Sequence, residues 1–472
     1  MAIYSCDAKV SRRGYLRNGT WDFVTLIAFV VVCQSAFATG LYAPVEAISG
    51  EGSAPAAGNA PTPNLPRNAQ VMDQSAYAMG SMTWNVIFVQ NNGSVAGAET
   101  WSPSEISSLQ TEITQAKSYW EGLTSGFHPG AQLSININYV NGASPMTTSL
   151  DPTASQSEGW VNHVMAPLGY TSTDRFTNVR NFNQAQRVAA NTHWSTTIFA
   201  LDNTDNYKSS YAYAYFGGPF TILTRDPAGW QPQNFNMVLA HEMGHIFNAL
   251  DEYQASGVRN TQRGGYLNGL TLNAELDGAG NPVVPPQPNA LMLNNGNFVT
   301  GIPYAPHPSA SVNFGHRDTD NDTIPDILDT FPTLTGNDSS SNAATGNFVF
   351  SGSISVNDYN NSNPLNVGFS NSQSDMTINT IASMSYTLDG GLPVPFPAVD
   401  GTYDDYTELL SFTIPSLSAG NHTIDVIGTN SVGNSSNLLQ FSFTSTVPEP
   451  STLLLAVVGL ASLLRCQRRH LS

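Results

Sequence analysis

The stretch His241-Glu242-Met243-Gly244-His245-Ile246-Phe247-Asn248-Ala249-Leu250-Asp251-Glu252-Tyr253 decides the reading of this 472-residue chain. Each helical residue turns about 100°, so His241 and His245, four apart, share one face and both imidazoles reach a single tetrahedral metal ion. Glu242, rotated away from that face by one residue, addresses a water on the metal. The arrangement is hydrolytic: zinc lowers the pKa of a bound water toward ~7 and polarises a scissile carbonyl, while a glutamate carries the proton to the leaving amine. Catalytic zinc takes three protein ligands and keeps one position open, so a third must come from downstream. Asp251 is the favoured candidate and Glu252 the alternative, with His307 or His316 as remaining substitutes. Asn248 stands where the chain must leave the helix and bend back, and asparagine tolerates left-handed backbone best after glycine. Phe235, Met237, Val238, Leu239, Met243, Ile246 and Phe247 give the helix the apolar character of a buried element.

The pattern resembles the metzincin motif of two histidines, a glycine and a third ligand, with Asn248 at the glycine position and Asp251 at that of the third histidine. Its close, Leu250-Asp251-Glu252-Tyr253, is similar to the Asp-Glu-Tyr ending of the IgA-metallopeptidase-like family, one residue nearer the second histidine. The resemblance implies a zinc peptidase with a protein or peptide substrate. It also implies a methionine-containing turn beneath the metal, for which Ala290-Leu291-Met292-Leu293-Asn294-Asn295-Gly296 is the candidate and Met292 the floor. Read alone, that run is an apolar turn with a core methionine.

Upstream, the alternation and periodicity predict strands over 84–89, 133–139 and 196–201, helices over 104–123 and 177–190, and a Gly-interrupted edge strand over 212–224. This order resembles the upper half of a metzincin catalytic domain, in which an edge strand pairs with extended substrate. Tyr213, Tyr215 and Phe216 are then candidate substrate contacts; as residues alone they are strand aromatics.

The chain ends set the compartment. Lys9, Arg12, Arg13 and Arg17 precede an apolar run over 23–32 and the small residues Ala36-Phe37-Ala38, a secretory signal over 1–38. At the other end Val447-Pro448-Glu449-Pro450, an apolar segment and then Arg465, Arg468 and Arg469 resemble the bacterial PEP-CTERM sorting signal, over 447–472. The resemblance implies export, handling by the sorting machinery, and delivery to the cell surface or extracellular matrix. The apolar segment 453–464 would reach about 18 Å as a helix, short of the ~30 Å hydrocarbon core, which suits a transient inner-membrane anchor.

All three cysteines, Cys6, Cys33 and Cys466, fall in these terminal segments, so the mature chain has neither disulfides nor a cysteine to block the metal. Between Thr39 and Thr446 ten basic residues face 32 acidic ones, a net charge of −22. Such a surface argues against nucleic acid and anionic lipid as partners and for solubility, cation binding, or both.

The remaining segments divide by composition. Residues 39–78, with five prolines among Ala, Gly and Ser, read as a flexible spacer or short propeptide ahead of a zinc domain over 79–316. Asp318, Asp320, Asp322, Asp326 and Asp329 alternate through 317–345 in the manner of an oxygen cage for calcium. The run resembles a thrombospondin type 3 repeat, with Thr323 where that repeat has glycine. Short apolar runs between Asn, Gly and Ser turns over 346–446 predict an all-β sandwich, similar to bacterial Ig-like or fibronectin type III domains, that spaces or docks the enzyme on a surface.

The expected protein is therefore multidomain: an α+β metzincin-like zinc peptidase domain followed by an Ig-like sandwich, acting as a secreted or surface-directed endopeptidase with zinc and calcium as its ions. The competing reading is a structural or adhesive matrix protein with a vestigial zinc domain. Hydrolysis of a non-peptide amide is a third, since the motif specifies bond chemistry more closely than substrate.

Overall fold

The spine of the fold is a strand apolar on both faces. β1 (Gly80–Asn91) is buried from Met82 through Val89, the pattern of a parallel sheet covered on both sides. The computed structural model describes residues 65–154, 158–204, 210–293, 305–363 and 374–447. After β1 come α1 (Pro103–Leu123), β2 (Leu133–Tyr139), β3 (Met146–Thr148), α2 (Gly159–Met165), α3 (Arg175–Ala190), β4 (Trp194–Leu201), β5 (Ala212–Ala214), β6 (Phe220–Thr224) and α4 (Phe235–Ile246). The six strands form one sheet, β2-β1-β4-β6-β5, with β3 also beside β1. All pairs are parallel except β5, which runs antiparallel to β6 at the edge. The expected edge strand over 212–224 is thus two strands, because Gly217, Gly218 and Pro219 turn the chain between them.

Alternation along β1 sends Met82, Trp84, Val86 and Phe88 into one layer with α1 and α4, and Ile87 and Val89 into the other with α2 and α3. α1 opens with a capping box between Ser102 and Glu105 and buries Leu109, Ile113, Ala116 and Trp120 at helical spacing. The Trp120 indole N–H donates to the Ala240 carbonyl at 3.2 Å, fastening α1 to α4.

Beyond α4 lie β7 (Arg263–Gly264), β8 (Gly269–Leu270), α5 (Pro308–Asn313), β9 (Thr333–Asn337), β10 (Phe348–Ser355), β11 (Ile381–Leu388), β12 (Val394–Pro395), β13 (Thr407–Ile414), β14 (Gly420–Asn430) and β15 (Leu439–Ser445). The last seven strands make two antiparallel sheets, β13-β10-β9 and β12-β11-β14-β15. Phe348, Phe350, Ile354, Met384, Ile424 and Val426 are in the apolar cluster between them. The chain is accordingly β-rich, with a mixed α/β body and a β-sandwich.

Three expectations about segment boundaries are corrected. β9 extends the sandwich back into the expected linker 317–345, and Ile324, Ile327 and Leu328 of that linker are buried in the main core. The last part of the expected spacer, 65–78, is packed: the fully buried Tyr77 meets Trp194 and Tyr266 edge-on at 4.9 and 5.5 Å. The sandwich is no detached module either, since Met376, Ile378 and Val432 belong to the same apolar cluster as α1 and α4. The Tyr266 hydroxyl donates to the Tyr359 carbonyl at 2.6 Å and accepts from the Met376 amide at 2.7 Å, and Asn430 donates to the Thr330 carbonyl at 2.8 Å. Such joints link residues far apart in sequence, which composition and periodicity do not register.

Candidate metal centre

α4 sets the imidazoles of His241 and His245 with ring centres 4.9 Å apart. The helix stops where Asn248 takes φ 64°, the left-handed bend that its position suggested. The chain then returns Asp251 over the histidines: its Oδ1 lies 3.1 Å from His241 Nε2 and 3.2 Å from His245 Nε2. Ligand atoms of His241, His245 and Asp251 all fall within 4.8 Å of one another, and all three residues are buried.

The outer ring nitrogens decide what this cluster can hold. His241 Nδ1 lies 2.8 Å from the Leu291 carbonyl and His245 Nδ1 lies 2.8 Å from the Ala249 carbonyl. A carbonyl only accepts, so each Nδ1 carries a hydrogen and each neutral ring turns a lone pair on Nε2 toward Asp251. Two lone pairs facing a carboxylate oxygen repel unless a cation lies among them, and a proton or a metal ion meets the need. Two imidazoles and one carboxylate are a zinc donor set, and the arrangement fits that ion. In the metal-free state the proton takes the role: burial pulls His245 down, but Asp251 outweighs it and lifts it from 6.5 to about 9. Burial would raise Asp251, yet the two histidines hold it well below the ordinary carboxylate range.

Glu242 lies beside this cluster, 6% exposed, and its Oε2 makes no hydrogen bond. Burial raises its pKa, with the histidines and the Ala214 backbone amide of β5 drawing it back. Glu252 is not brought into the cluster. Its carboxylate accepts from Asn273 Nδ2 at 2.7 Å, and burial pushes it up to about 7. Its amide donates to the Met292 carbonyl at 2.9 Å, which ties the loop bearing Asp251 to the expected methionine turn. Met292 is fully buried with its sulfur against Gly244, while 294–296 lie outside the described residues. His307 caps α5 through Nδ1, and His316 Nε2 donates to the Ala78 carbonyl at 3.0 Å, so neither stands in for Asp251.

Of the three aromatics expected to meet substrate, two are turned away. Tyr213 donates to Glu158 at 2.7 Å and Tyr215 donates to the same carboxylate, which also takes the Arg175 guanidinium. Phe216 alone is at the centre, half-buried, with its ring edge-on to His245 at 5.0 Å. Tyr253 stands 6.3 Å from His241 between ring centres and lines, with Gln254, Ala255 and Glu275, an open depression of about 460 Å³. Sequence reasoning missed Glu275 and the depression; Leu291 was read as part of the methionine turn and Ala214 as part of the edge strand, without their contacts to His241 and Glu242, and Tyr253 had a signal in the Asp-Glu-Tyr close.

The aspartate run gathers in part. Asp318, Asp320 and Asp322 bring carboxylate oxygens within 4.8 Å of one another. Asp326 instead pairs with Arg317 at 2.5 Å and accepts from Thr319, and Asp329 accepts from Asn434 of the sandwich at 2.8 Å. Thr323 takes φ 78°, a left-handed backbone that glycine adopts without steric cost.

Residues 446–469 match the PEP-CTERM protein-sorting motif, so the chain carries a signal for export and membrane-associated sorting that a sorting machinery recognises. Both terminal signals lie almost wholly outside the described residues, among which no helix is long and apolar enough to cross a membrane. No curated protein matches the sequence. Among solved structures, it is similar to wild-type OgpA from Akkermansia muciniphila in two crystal forms. One is 12% identical over 81% of this chain and 98% of that one, with a TM-score of 0.28. The other is 11% identical over 83% and 99%, with a TM-score of 0.25. It is also similar to fibronectin(III)-like modules of Clostridium thermocellum CbhA, 14% identical over 25% of this chain and all of that one, with a TM-score of 0.16.

Proposed function

We propose that the protein is an exported, surface-directed zinc-dependent endopeptidase of metzincin-like type. The observation that carries this reading is the convergence of His241 Nε2, His245 Nε2 and Asp251 Oδ1 with both Nδ1 atoms committed to backbone carbonyls. His241, His245 and Asp251 would hold the ion. Zinc, when bound, supplies a Lewis acid for the scissile carbonyl and lowers the pKa of water.

The chain's own residues supply the rest. Glu242 accepts the proton of the attacking water at its unpaired Oε2 and returns it to the leaving amine, a role for which a buried, raised carboxyl is suited. The Leu291 and Ala249 carbonyls hold the two rings in one tautomer and orientation. Phe216, beside His245, and Tyr253, near His241, would contact a peptide bound at the centre. The PEP-CTERM motif supports action outside the inner membrane.

The test compares cleavage of an unfolded-protein mixture by the exported protein and by Glu242→Gln, with bound zinc measured in both. Zinc in both and cleavage only in the wild type is the expected outcome. Zinc in both with cleavage in neither would return the chain to the structural or adhesive reading. An unchanged rate in Glu242→Gln would remove Glu242 as the base.

Calcium is the second ion of this reading, at Asp318, Asp320 and Asp322, whose oxygens suit a hard cation. A chelator selective for calcium should then lower the unfolding temperature, and an equal temperature with and without it would discard the site.

A further inference from the structure

The depression that Tyr253 lines has one charged wall. Glu275 lines it together with Tyr253, Gln254 and Ala255. The backbone fixes this glutamate from three sides: its amide donates to the Glu252 carbonyl at 2.7 Å, its carbonyl accepts from Val283 at 2.8 Å, and its Oε2 accepts from the Gln254 amide at 2.7 Å. Among the described residues no lysine, arginine or histidine pairs with it. The other lining residues carry no charge to neutralise it. A held carboxylate with no cation, beside an aromatic ring and open to solvent, suits an ammonium or guanidinium group, through a charge-assisted hydrogen bond and the ring face.

The geometry points to Glu275 as a specificity-determining residue, forming with Tyr253 a subsite for a lysine or arginine side chain of the peptide held at the metal centre. This rests on the peptidase reading for its purpose, but the subsite has its own observable. Tyr253 links the depression to the centre, lining the one with its ring 6.3 Å from that of His241, so the subsite would take a side chain from a residue near the bond addressed there. The strongly acidic chain adds long-range attraction for basic peptides, and only a local carboxylate selects one position along them.

The test separates the two readings. Fluorescence anisotropy measures binding of a labelled peptide with a single lysine, and of the same peptide with norleucine in its place, to zinc-loaded Glu242→Gln protein. The lysine peptide should bind about tenfold tighter, and adding Glu275→Gln should bring the two within about twofold, since the carbonyl oxygen of glutamine can still accept from Gln254 while the charge is gone. A lysine-to-norleucine ratio near one in Glu242→Gln, or a ratio that Glu275→Gln leaves intact, would overturn the subsite. Hydrolysis by the wild type beside Glu242→Gln reports separately: lysine selectivity without any cleavage would sink the peptidase reading and keep the subsite.

Discussion

Gly244 and Met292 interlock: a Cβ placed on Gly244 would stand 2.5 Å from the Met292 sulfur and 3.4 Å from the Phe314 ring. α4 therefore packs on the methionine turn at a position that carries no side chain. The neighbour of Met292, Leu291, holds His241 by its carbonyl, and Met292 itself accepts from Glu252 next to Asp251, so the fit sets His241 and Asp251 relative to one another. Gly244→Ala is expected to cost about 1–3 kcal/mol by overpacking and to weaken zinc retention. Pairing it with Met292→Ala should recover part of the zinc affinity, as read by urea unfolding and by competition with a chromogenic chelator.

Acid should destabilise the protein through two histidines outside the His241–His245–Asp251 cluster. Burial, and for His193 also the nearby Arg187 charge, lowers both His193 and His316 from 6.5 to about 4. Between those values the unfolded chain binds protons that the folded chain refuses, so the stability their neutral forms contribute is complete above pH 6.5 and is lost as pH falls toward 4. His193→Asn, which retains an acceptor for the Ser81 amide, and His316→Gln, which retains a donor to Ala78, should each flatten the slope of unfolding temperature against pH.

The joint between the two bodies can be weakened at one atom. Tyr266→Phe removes the hydroxyl that serves both the Tyr359 carbonyl and the Met376 amide. Leaving these groups unpaired in a buried joint should cost about 1–3 kcal/mol. Limited proteolysis should then cut first between the sandwich and the α/β body; an unaltered digestion pattern would show that the joint does not depend on this contact.

Thr323 holds a left-handed backbone at φ 78° that a β-branched residue adopts only under strain. Thr323→Gly should raise stability by up to about 1 kcal/mol, the relief of ~1–2 kcal/mol being offset by the greater freedom of glycine in the unfolded chain. Thr323→Ala keeps a Cβ in the same place and should not reproduce the gain. Denaturant unfolding of the three proteins checks this.

What the sequence disclosed was local. Helical spacing placed His241 and His245 on one face, and Asn248 marked the turn that returns Asp251. Strands with alternating or continuous apolar runs, such as 133–139, stood out for the same reason. What escaped were decisions made by distant partners. Nothing near Glu252 says that Asn273 captures it, nothing near Tyr213 says that Glu158 does, and nothing near Asp326 ranks Arg317 above a cation. The sandwich looked detachable because Met376, Ile378 and Val432 are unremarkable in their own segments and matter only through what they cover.

A Cβ on Gly80, at the head of β1, would fall 2.6 Å from the Ile378 side chain and 2.5 Å from the His193 ring. The start of the α/β body is thus shaped to a particular residue of the sandwich nearly 300 positions away. A lineage that exchanged this sandwich for another of the same topology would have to refit this contact, which favours passing the two halves on as a pair. Substitutions at Gly80, His193 and Ile378 should then be correlated among its descendants, where an interchangeable surface module would let them drift apart.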